Sequence, residues 1–376
     1  MKKYWYSVIP TLVMLLVYAC SSDNGSDTPT DPTDDDGMEP TFSRADMLTN
    51  WTDNIIIPAY TAFLENTETL QTEATAFSNA PTVDALNALR TAYVEAYKSW
   101  QHIDMFEIGP AELAGLRLNM NTYPTSITKI ETNIADPDAN FALPSNRDSK
   151  GFPALDYLFY GIADTDENIV AVYTDVTSGA AHLAYIQKII ADIDDSVTAV
   201  ANEWTSTFRD SFVAEDGTGA SASVDRLAND FLIYYEKSLR TAKIQAPLGI
   251  LSGVQSPQII ESLYNPSLSN ELFLEGLSAT KSFFNGNAYG TGTAGIGFDD
   301  YLTFVESTLG GDINAQLDSA ENAVSGLDSF AVELQQSPAT DMIAAYAEVQ
   351  DVVALLKRDM FSALSIAIDF QDQDND

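Results

Sequence analysis

The stretch LAYIQKIIADIDDSVTAVANEWTSTFRDSF, residues 183–212, decides the fold class of this chain. Its large apolar side chains recur at intervals of three or four residues: Ile186, Ile190, Ile193, Val197, Val200, Trp204, Phe208 and Phe212. Because an α-helix repeats every ~3.6 residues, this spacing puts them on one face of a helix of about eight turns. So long an apolar face must be buried against other helices, and it therefore predicts a helical bundle.

The same periodicity recurs elsewhere in the chain. Residues 83–103 carry apolar side chains at helical spacing, and Thr82 stands directly before them as a helix N-cap. Residues 227–239 and 342–364 repeat the pattern in the second half. Alternating strand patterns are nearly absent, so we predict an all-α protein.

The length of the chain predicts more than one helical unit. Without its acidic N-terminal segment the body has roughly 335 residues, more than one core usually organises, so two domains or two packed bundles are expected. A glycine-containing break at residues 215–220 divides the body into residues 43–214 and 221–376. Ser256-Pro257 and Ser337-Pro338 each supply an N-cap residue followed by proline, and so predict two helix starts.

The N-terminus predicts export to the cell envelope. Lysines at positions 2 and 3, an apolar run over residues 8–17 and a small residue before Cys20 are typical of a signal peptide spanning residues 1–19. Cys20 is the only cysteine in the chain and stands where a lipoprotein signal peptidase leaves a lipidated residue. Residues 20–42 are rich in Asp, Pro, Ser and Thr, which predicts a flexible tether. The alternative is a cysteine that lies within a cleaved signal peptide.

The predicted location is therefore the outer membrane, reached through a lipid anchor. Acidic residues soon after a lipidated cysteine also resemble the surface-export signals of bacterial lipoproteins, although Ser21-Ser22-Asp23-Asn24 matches such signals only in part. Simple solvation of a linker explains the same residues equally well. Which face of the membrane the protein occupies stays open.

The charge balance excludes one class of partner. The chain has 18 basic and 55 acidic residues, for a net charge of -37. Such a surface repels nucleic acid and anionic lipid, so no nucleic-acid partner is expected. It favours cations or basic partners, although acidity also serves to keep an exposed envelope protein soluble.

The segment KGFPALDYLFYG, residues 150–161, is compact, apolar and bounded by glycines. With Pro153 as the first residue of a helix, Asp156 falls in the first turn, where the helix dipole favours a carboxylate. A structural cap is the simplest interpretation of that acid.

This segment resembles the signature region of the imelysin family. Peptidase members of that family carry Gly-x-His-x-x-Glu, and a large non-peptidase branch carries a Gly-Leu-Pro-Ala-Leu-Glu-Tyr type of sequence. Here Gly151 matches the glycine, Pro153 occupies the histidine position and Asp156 occupies the glutamate position. The histidine expected of a peptidase is therefore replaced.

Three further stretches extend the resemblance over nearly the whole body. Residues 100–111 resemble the family's tryptophan followed by Gly-Pro, residues 235–249 its Lys-Ile-Gly-x-Pro-x-Gly region, and residues 368–376 its acidic C-terminus. The resemblance implies two four-helix bundles with the signature region near their interface. It also implies an envelope protein associated with iron or haem uptake.

The metal-ligating residue types narrow the possible chemistry. His102 and His182 are the only histidines and form no local pair, which disfavours a zinc peptidase. Carboxylates alone can hold calcium or ferric iron, and the family geometry would bring Glu107, Glu112 and Asp156 together at the bundle interface. Asp156 and Glu112 are the candidate metal ligands.

Two other patterns are weaker. Asp372, Asp374 and Asp376 alternate as in the opening of a calcium loop, but the chain has no later residue to complete it, and a solvated tail explains them better. The body has no cysteine and no Gly-x-Ser-x-Gly elbow, so we assign no catalytic residue.

The leading hypothesis is a non-catalytic envelope lipoprotein that binds a metal, a haem-like ligand or a partner protein in iron acquisition. Iron, haem and calcium are the candidate ligands, and an outer-membrane transporter is a candidate partner. One alternative is an imelysin-type metallopeptidase with a degenerate motif. Another is an interaction module that presents an acidic face to a surface receptor.

Overall fold

The computed structural model describes residues 41–305 and 307–369, and every regular element within those ranges is helical. No helix in this part of the chain is long and apolar enough to cross a bilayer. The predicted signal peptide, Cys20, almost all of the tether and the C-terminal aspartates at 372, 374 and 376 lie outside the described residues. The predicted all-α fold is confirmed.

The α-helices have the following bounds: α1 Arg44–Asn50, α2 Ile57–Asn79, α3 Val83–Trp100, α4 Pro110–Ala114, α5 Leu116–Met120, α6 Ile127–Ala135, α7 Gly151–Asp156, α8 Asp166–Thr174, α9 Gly179–Glu203, α10 Arg209–Ala214, α11 Ser223–Ile233, α12 Ala246–Leu248, α13 Ser269–Phe284, α14 Phe298–Phe304, α15 Leu309–Ser325, α16 Phe330–Glu333, α17 Thr340–Ala354 and α18 Phe361–Ala363. Short 3-10 turns lie at Pro144–Ser149, Pro257–Ile259 and Pro266–Leu268.

Several of these helices are joined end to end by π-helical segments, whose hydrogen bonds span one residue more than those of an α-helix. The segments Trp51–Ile56, Trp204–Phe208, Tyr234–Gln245 and Leu355–Met360 each lie between two α-helices, whereas Tyr157–Gly161 extends α7. Helix α9, the π-helical segment Trp204–Phe208 and α10 together form the long helix predicted from residues 183–212. The long helix predicted at residues 342–364 is likewise present, as α17 continued through α18.

The apolar stripes pack as their spacing predicts. Helix α2 lies against α3 and α9, while α15 lies against α13, α14 and α17. Trp51, Trp100 and Trp204 are fully buried, and Trp204 contacts Phe208 and Phe212 with ring centroids 4.7 and 5.4 Å apart. Aromatic side chains of this size contribute more apolar burial than any other residue type, so they anchor the core.

Residues 42–305 and 307–369 belong to one compact unit. Segments before and after the predicted boundary at residues 215–220 are in contact, since α1 packs against both α10 and α11. The division into bundles at 43–214 and 221–376 stays a prediction.

Two predicted helix starts are wrong. Helix α17 begins at Thr340, beyond Ser337-Pro338, and Pro257 opens only a three-residue 3-10 turn. Thr82 does cap α3, because its hydroxyl accepts a hydrogen bond from the N–H of Ala85 at 3.2 Å. A hydroxyl ahead of a proline thus predicts a helix less well than one that precedes an apolar stripe.

The prediction for Asp156 is also wrong in its local detail. Helix α7 begins two residues earlier than predicted, at Gly151, and Asp156 is its last residue, followed at once by a π-helical segment. The carboxylate therefore does not lie in a first turn, and the helix dipole does not explain it.

Candidate functional site

Residues 104–123 and 226–243 face each other across a cleft made of two adjoining cavities. We call the first the basic cavity: it has about 440 Å³ and is lined by Asp104, Glu107, Arg117, Leu118, Asn121, Tyr123, Ile233, Lys237, Ser238, Ala242 and Lys243. We call the second the acidic cavity: it has about 300 Å³ and is lined by Glu107, Ile108, Glu112, Arg117, Arg226, Asn229, Asp230, Ile233 and Asp369. Glu107, Arg117 and Ile233 line both.

Arg117 stands at the centre of the cleft. Its Nε donates to the Asp104 carboxylate at 2.9 Å and to the Asp104 main-chain carbonyl at 3.1 Å. Its Nη2 lies 3.5 Å from the Asp230 carboxylate on α11. Gly115, at φ +58°, joins α4 to α5 and gives the sharp turn that carries Arg117 inward. The guanidinium therefore links segments that are more than 100 residues apart in the sequence.

Glu107 forms the wall between the cavities. Its N–H donates to Asp230 at 2.6 Å, and its carboxylate accepts the main-chain N–H of Arg117 at 2.8 Å. Burial raises the pKa of Glu107 to about 7, and burial likewise raises the pKa of Asp230 to about 6, although Arg117 opposes both shifts. The cleft thus holds carboxyl groups that titrate near neutral pH, which is common at functional sites.

Tyr60 on α2 faces this cluster. Its hydroxyl is buried and has no hydrogen-bond partner among the described residues. Burial raises the pKa of Tyr60, and the neighbouring Glu107 and Asp230 carboxylates raise it further. The hydroxyl is therefore a neutral group beside several charged ones.

A buried hydrogen-bond network supports the basic cavity from within. Lys243 forms an ion pair with Glu261 and donates to the Gln101 side chain at 2.6 Å. Glu261 also accepts from Asn121 at 2.7 Å, and Asn121 in turn accepts from the Tyr97 hydroxyl at 2.6 Å. Lys243 and Glu261 are each only 1% exposed. Loss of the charge on either residue would therefore leave the charge of the other buried and unpaired.

Of the candidate residues predicted from the sequence, Glu107 and Glu112 line the same cavity, which is the acidic cavity. Glu112 is exposed over 63% of its side chain and pairs with Arg226 at 3.4 Å. Sequence reasoning missed Arg117, Asp230 and Lys243. For Asp230 a signal existed, because it lies three residues after Leu227 and four before Tyr234 and so shares their buried helical face.

Asp156 lies elsewhere and has a different role. It is 1% exposed and accepts three hydrogen bonds: from the Ser262 hydroxyl at 3.1 Å, the Tyr264 N–H at 2.7 Å and the Asn265 N–H at 3.1 Å. Burial raises its pKa to about 7, although these three donors oppose the shift. It lines neither cavity of the cleft. Asp156 therefore ties α7 to the loop at residues 262–265.

The other two motif residues are also structural. Gly151 has φ +70°, and a Cβ there would lie 2.2 Å from the main-chain oxygen of Met120, so no other residue fits without displacement. Pro153 is buried and offers no ligand atom. A metal at this motif does not fit these residues, because the one carboxylate present is held by donors of the chain itself.

Neither histidine adds to a metal centre. His102 follows α3 and pairs with Glu275 at 3.1 Å, while the Nδ1 of His182 lies 2.9 Å from the Ser178 carbonyl oxygen. Across residues 41–305 and 307–369, no three His, Cys, Asp or Glu side chains are arranged to hold a metal ion.

The described structure is that of an all-α protein with a cleft of mixed charge between residues 104–123 and 226–243. The chain belongs to the imelysin family, because the family model described as imelysin matches residues 56–358.

The proteins similar to the chain include one curated relative and two solved structures. The iron-regulated protein A of Synechococcus elongatus is 28% identical over 120 residues, which cover 30% of this chain and 32% of that protein. The match thus spans about a third of the length of the curated relative.

Both solved structures share the fold. A protein of Parabacteroides distasonis, assigned as an iron-regulated protein A precursor, is 16% identical with a TM-score of 0.69, covering 85% of this chain and 96% of that one. An imelysin-like protein of Psychrobacter arcticum is 17% identical with a TM-score of 0.67, covering 87% and 97%. At these identities the likeness shows the fold alone.

Proposed function

We propose that this protein is a non-catalytic component of the cell envelope that binds an iron-bearing ligand in the cleft between residues 104–123 and 226–243. Membership of the imelysin family and the partial similarity to an iron-regulated protein support the link to iron. Lipid attachment at Cys20 would hold the body at the outer membrane, where a transporter is the expected partner.

The cleft is the observation that carries this proposal. Its larger cavity, of about 440 Å³, lies within the range of about 300–1,000 Å³ that is usual for small-ligand sites. Basic and acidic groups line it together, so it can hydrogen-bond both donors and acceptors on a bound iron complex. Two distant parts of the chain form it, and a ligand there would contact both.

Binding is favoured over peptide hydrolysis by the state of the family motif. Metallopeptidases need several protein ligands and an open coordination position. Here Pro153 supplies no ligand, and both carboxylate oxygens of Asp156 already accept hydrogen bonds from the hydroxyl and main-chain donors of residues 262–265. The motif therefore serves the fold, and the ligand-binding groups lie at the cleft instead.

Titration of the purified protein tests the proposal. Ferric citrate is followed by calorimetry and ferric haem by its absorbance, and binding of at least one is expected. Arg117→Met should weaken that binding by at least about tenfold, since hydrogen bonds to charged groups contribute about 1.5–3 kcal/mol. Arg358→Gln is the control, because Arg358 is exposed and, among the residues that the structure describes, pairs with Asp359 alone.

Two outcomes would count against the proposal. Failure of both iron compounds to bind would remove it. Proteolysis of casein that is abolished by a chelator and by Asp156→Ala would favour the metallopeptidase alternative. The anchor is tested separately, because radiolabelled palmitate should enter the wild type and not the Cys20→Ser variant.

A further inference from the structure

Residues 244–270 form a neutral stretch of this acidic chain. They contain one charged residue, Glu261, whereas 19% of the whole chain is charged. Glu261 is only 1% exposed and pairs with Lys243, so the stretch presents no charged side chain to solvent. Residues 329–340 are similar, because their one charged residue, Glu333, is only 5% exposed.

The two stretches lie side by side. The Gln255 side chain donates a hydrogen bond to the main-chain carbonyl of Gln336 at 3.0 Å. The 3-10 turn Pro266–Leu268 packs against α16, Phe330–Glu333. Two segments that are remote in the sequence therefore form one surface, and we call residues 244–270 and 329–340 together the neutral face.

The neutral face has an apolar tip at residues 249–254. Three large aliphatic side chains of the tip are exposed over 40%, 69% and 66% of their surface: Ile250, Leu251 and Val254. Apolar residues scattered singly over a surface are ordinary, whereas an exposed apolar cluster marks contact with another molecule or with a membrane. The tip is therefore a candidate contact site.

The tip is held in shape by its own backbone. Gly249 has φ +70°, and a Cβ there would lie 2.1 Å from the main-chain oxygen of Val254, so the loop closes tightly on this glycine. The Gly253 N–H donates to the Gly249 carbonyl at 2.7 Å, and the Ser256 N–H donates to the Pro247 carbonyl at 2.8 Å. Side chains presented by an ordered loop lose less conformational entropy on binding than those of a flexible one.

We infer that this tip inserts into the surface of an uncharged lipid bilayer, as a second membrane contact beside the lipid anchor at Cys20. The inference rests on the proposed anchor and adds the face by which the body meets the membrane. Cys20 precedes the described body by about 20 residues, a length of chain that spans at most about 70 Å. Because a body tethered so closely meets the bilayer repeatedly, even a contact that is weak in free solution is occupied.

Charge and size favour lipid over a protein as the occupant. The neutral face brings no exposed carboxylate against the bilayer, whereas the 55 acidic residues of the chain would oppose such an approach elsewhere. A stable protein interface buries about 800 Å² on each partner and is usually anchored by aromatic or arginine side chains. The tip is small and contains neither of these residue types.

Fluorescence of the full-length lipidated protein in phosphatidylcholine vesicles tests this contact. Ser252→Cys places a thiol at the tip for an environment-sensitive dye, while Cys20, the only native cysteine, is blocked by its lipid. On reconstitution the emission of the dye should shift to the blue, and lipids brominated along their acyl chains should quench it.

Two substitutions added to Ser252→Cys show whether the apolar tip causes the contact. Leu251→Ser should lower the ratio of inserted to free tip, taken from the quenching, by about tenfold, because most of a leucine side chain leaves the apolar phase. Leu113→Ser is the matched control, since Leu113 is 90% exposed on α4 and lies outside the neutral face. It should leave the ratio unchanged.

Several results would overturn the inference. These are an unshifted dye in the vesicles, or an equal loss of quenching in Leu251→Ser and Leu113→Ser. A dye that shifts only in native outer membranes would assign the tip to a protein, and a shift that grows with the number of protein molecules per vesicle would assign it to a second copy. Dye uptake by the wild type would show Cys20 without its lipid, so the anchor and this inference would fall together while iron-ligand binding still stands.

Discussion

Replacing Asp156 by alanine should destabilise the protein, and the loss should shrink as the pH rises. The variant leaves the buried N–H groups of Tyr264 and Asn265 without their acceptor. Each such group costs about 1–3 kcal/mol, so a loss of about 4 kcal/mol is expected near pH 4. Ser262 contributes little to that loss, because its hydroxyl also lies 3.2 Å from the Asn265 carbonyl.

The pH dependence follows from the pKa of Asp156, which burial raises from its ordinary value of 3.8 to about 7. A carboxyl group with a raised pKa in the folded state stabilises the fold fully below its ordinary pKa, and that stability is lost as the pH rises through 7. The difference of about three units between the ordinary and the raised pKa corresponds to about 4 kcal/mol in the free energy of unfolding of the wild type. The alanine variant has no such group, so its deficit should fall from about 4 kcal/mol near pH 4 to almost nothing at pH 8.

Urea denaturation of wild type and variant at pH 4.5 and pH 8 measures this difference in the free energy of unfolding. Glu68→Ala is the control, because Glu68 is exposed on α2 and its removal should leave the free energy of unfolding little changed. A deficit below about 1 kcal/mol at pH 4.5, or one that is equal at both pH values, would refute the role assigned to Asp156.

Three further changes test the structure. Gly151→Ala should lower the free energy of unfolding by more than about 2 kcal/mol in thermal denaturation, whereas Gly311→Ala, where a Cβ meets open space within α15, should be neutral or stabilise by up to about 1 kcal/mol. Tyr60→Phe removes a hydroxyl that has no partner in the described part of the chain and should not destabilise, while Tyr173→Phe loses a 2.6 Å hydrogen bond to a main-chain carbonyl and should cost about 1 kcal/mol in urea. Lys243→Met leaves its buried glutamate partner without a cation, so urea denaturation should report a loss of about 3–5 kcal/mol.

The helices could be predicted because apolar residues at helical spacing lie on one face, and that face is the one that becomes buried. The stripe at residues 183–212 continues through a π-helical segment without losing its buried side chains at Val200, Trp204 and Phe212. The helix start predicted at Ser337-Pro338 is wrong because a proline restricts the residue before it, and a proline alone does not start a helix. Stripes of several turns therefore carry more information than pairs of capping residues.

The cleft was predictable only in part. Glu107 and Glu112 were found through their position in a stretch that resembles the family, whereas the partners of Asp156 lie 106 to 109 residues further along the chain. No local pattern reports contacts over such a separation. Arg117 was missed for a similar reason, since its role depends on Asp230 and on the turn at Gly115 that carries it inward.

The π-helical segment Tyr234–Gln245 has a consequence for the history of this chain. A π-helical hydrogen bond spans one residue more than an α-helical one, so the loss of a single residue could turn such a segment into α-helix while the flanking turns stay folded. Alignments of relatives should therefore show single-residue gaps here, inside a helix, where gaps are otherwise rare. Each such gap would rotate Lys237 relative to Lys243, so relatives that differ by one residue at this place would present a differently shaped cavity wall on the same fold.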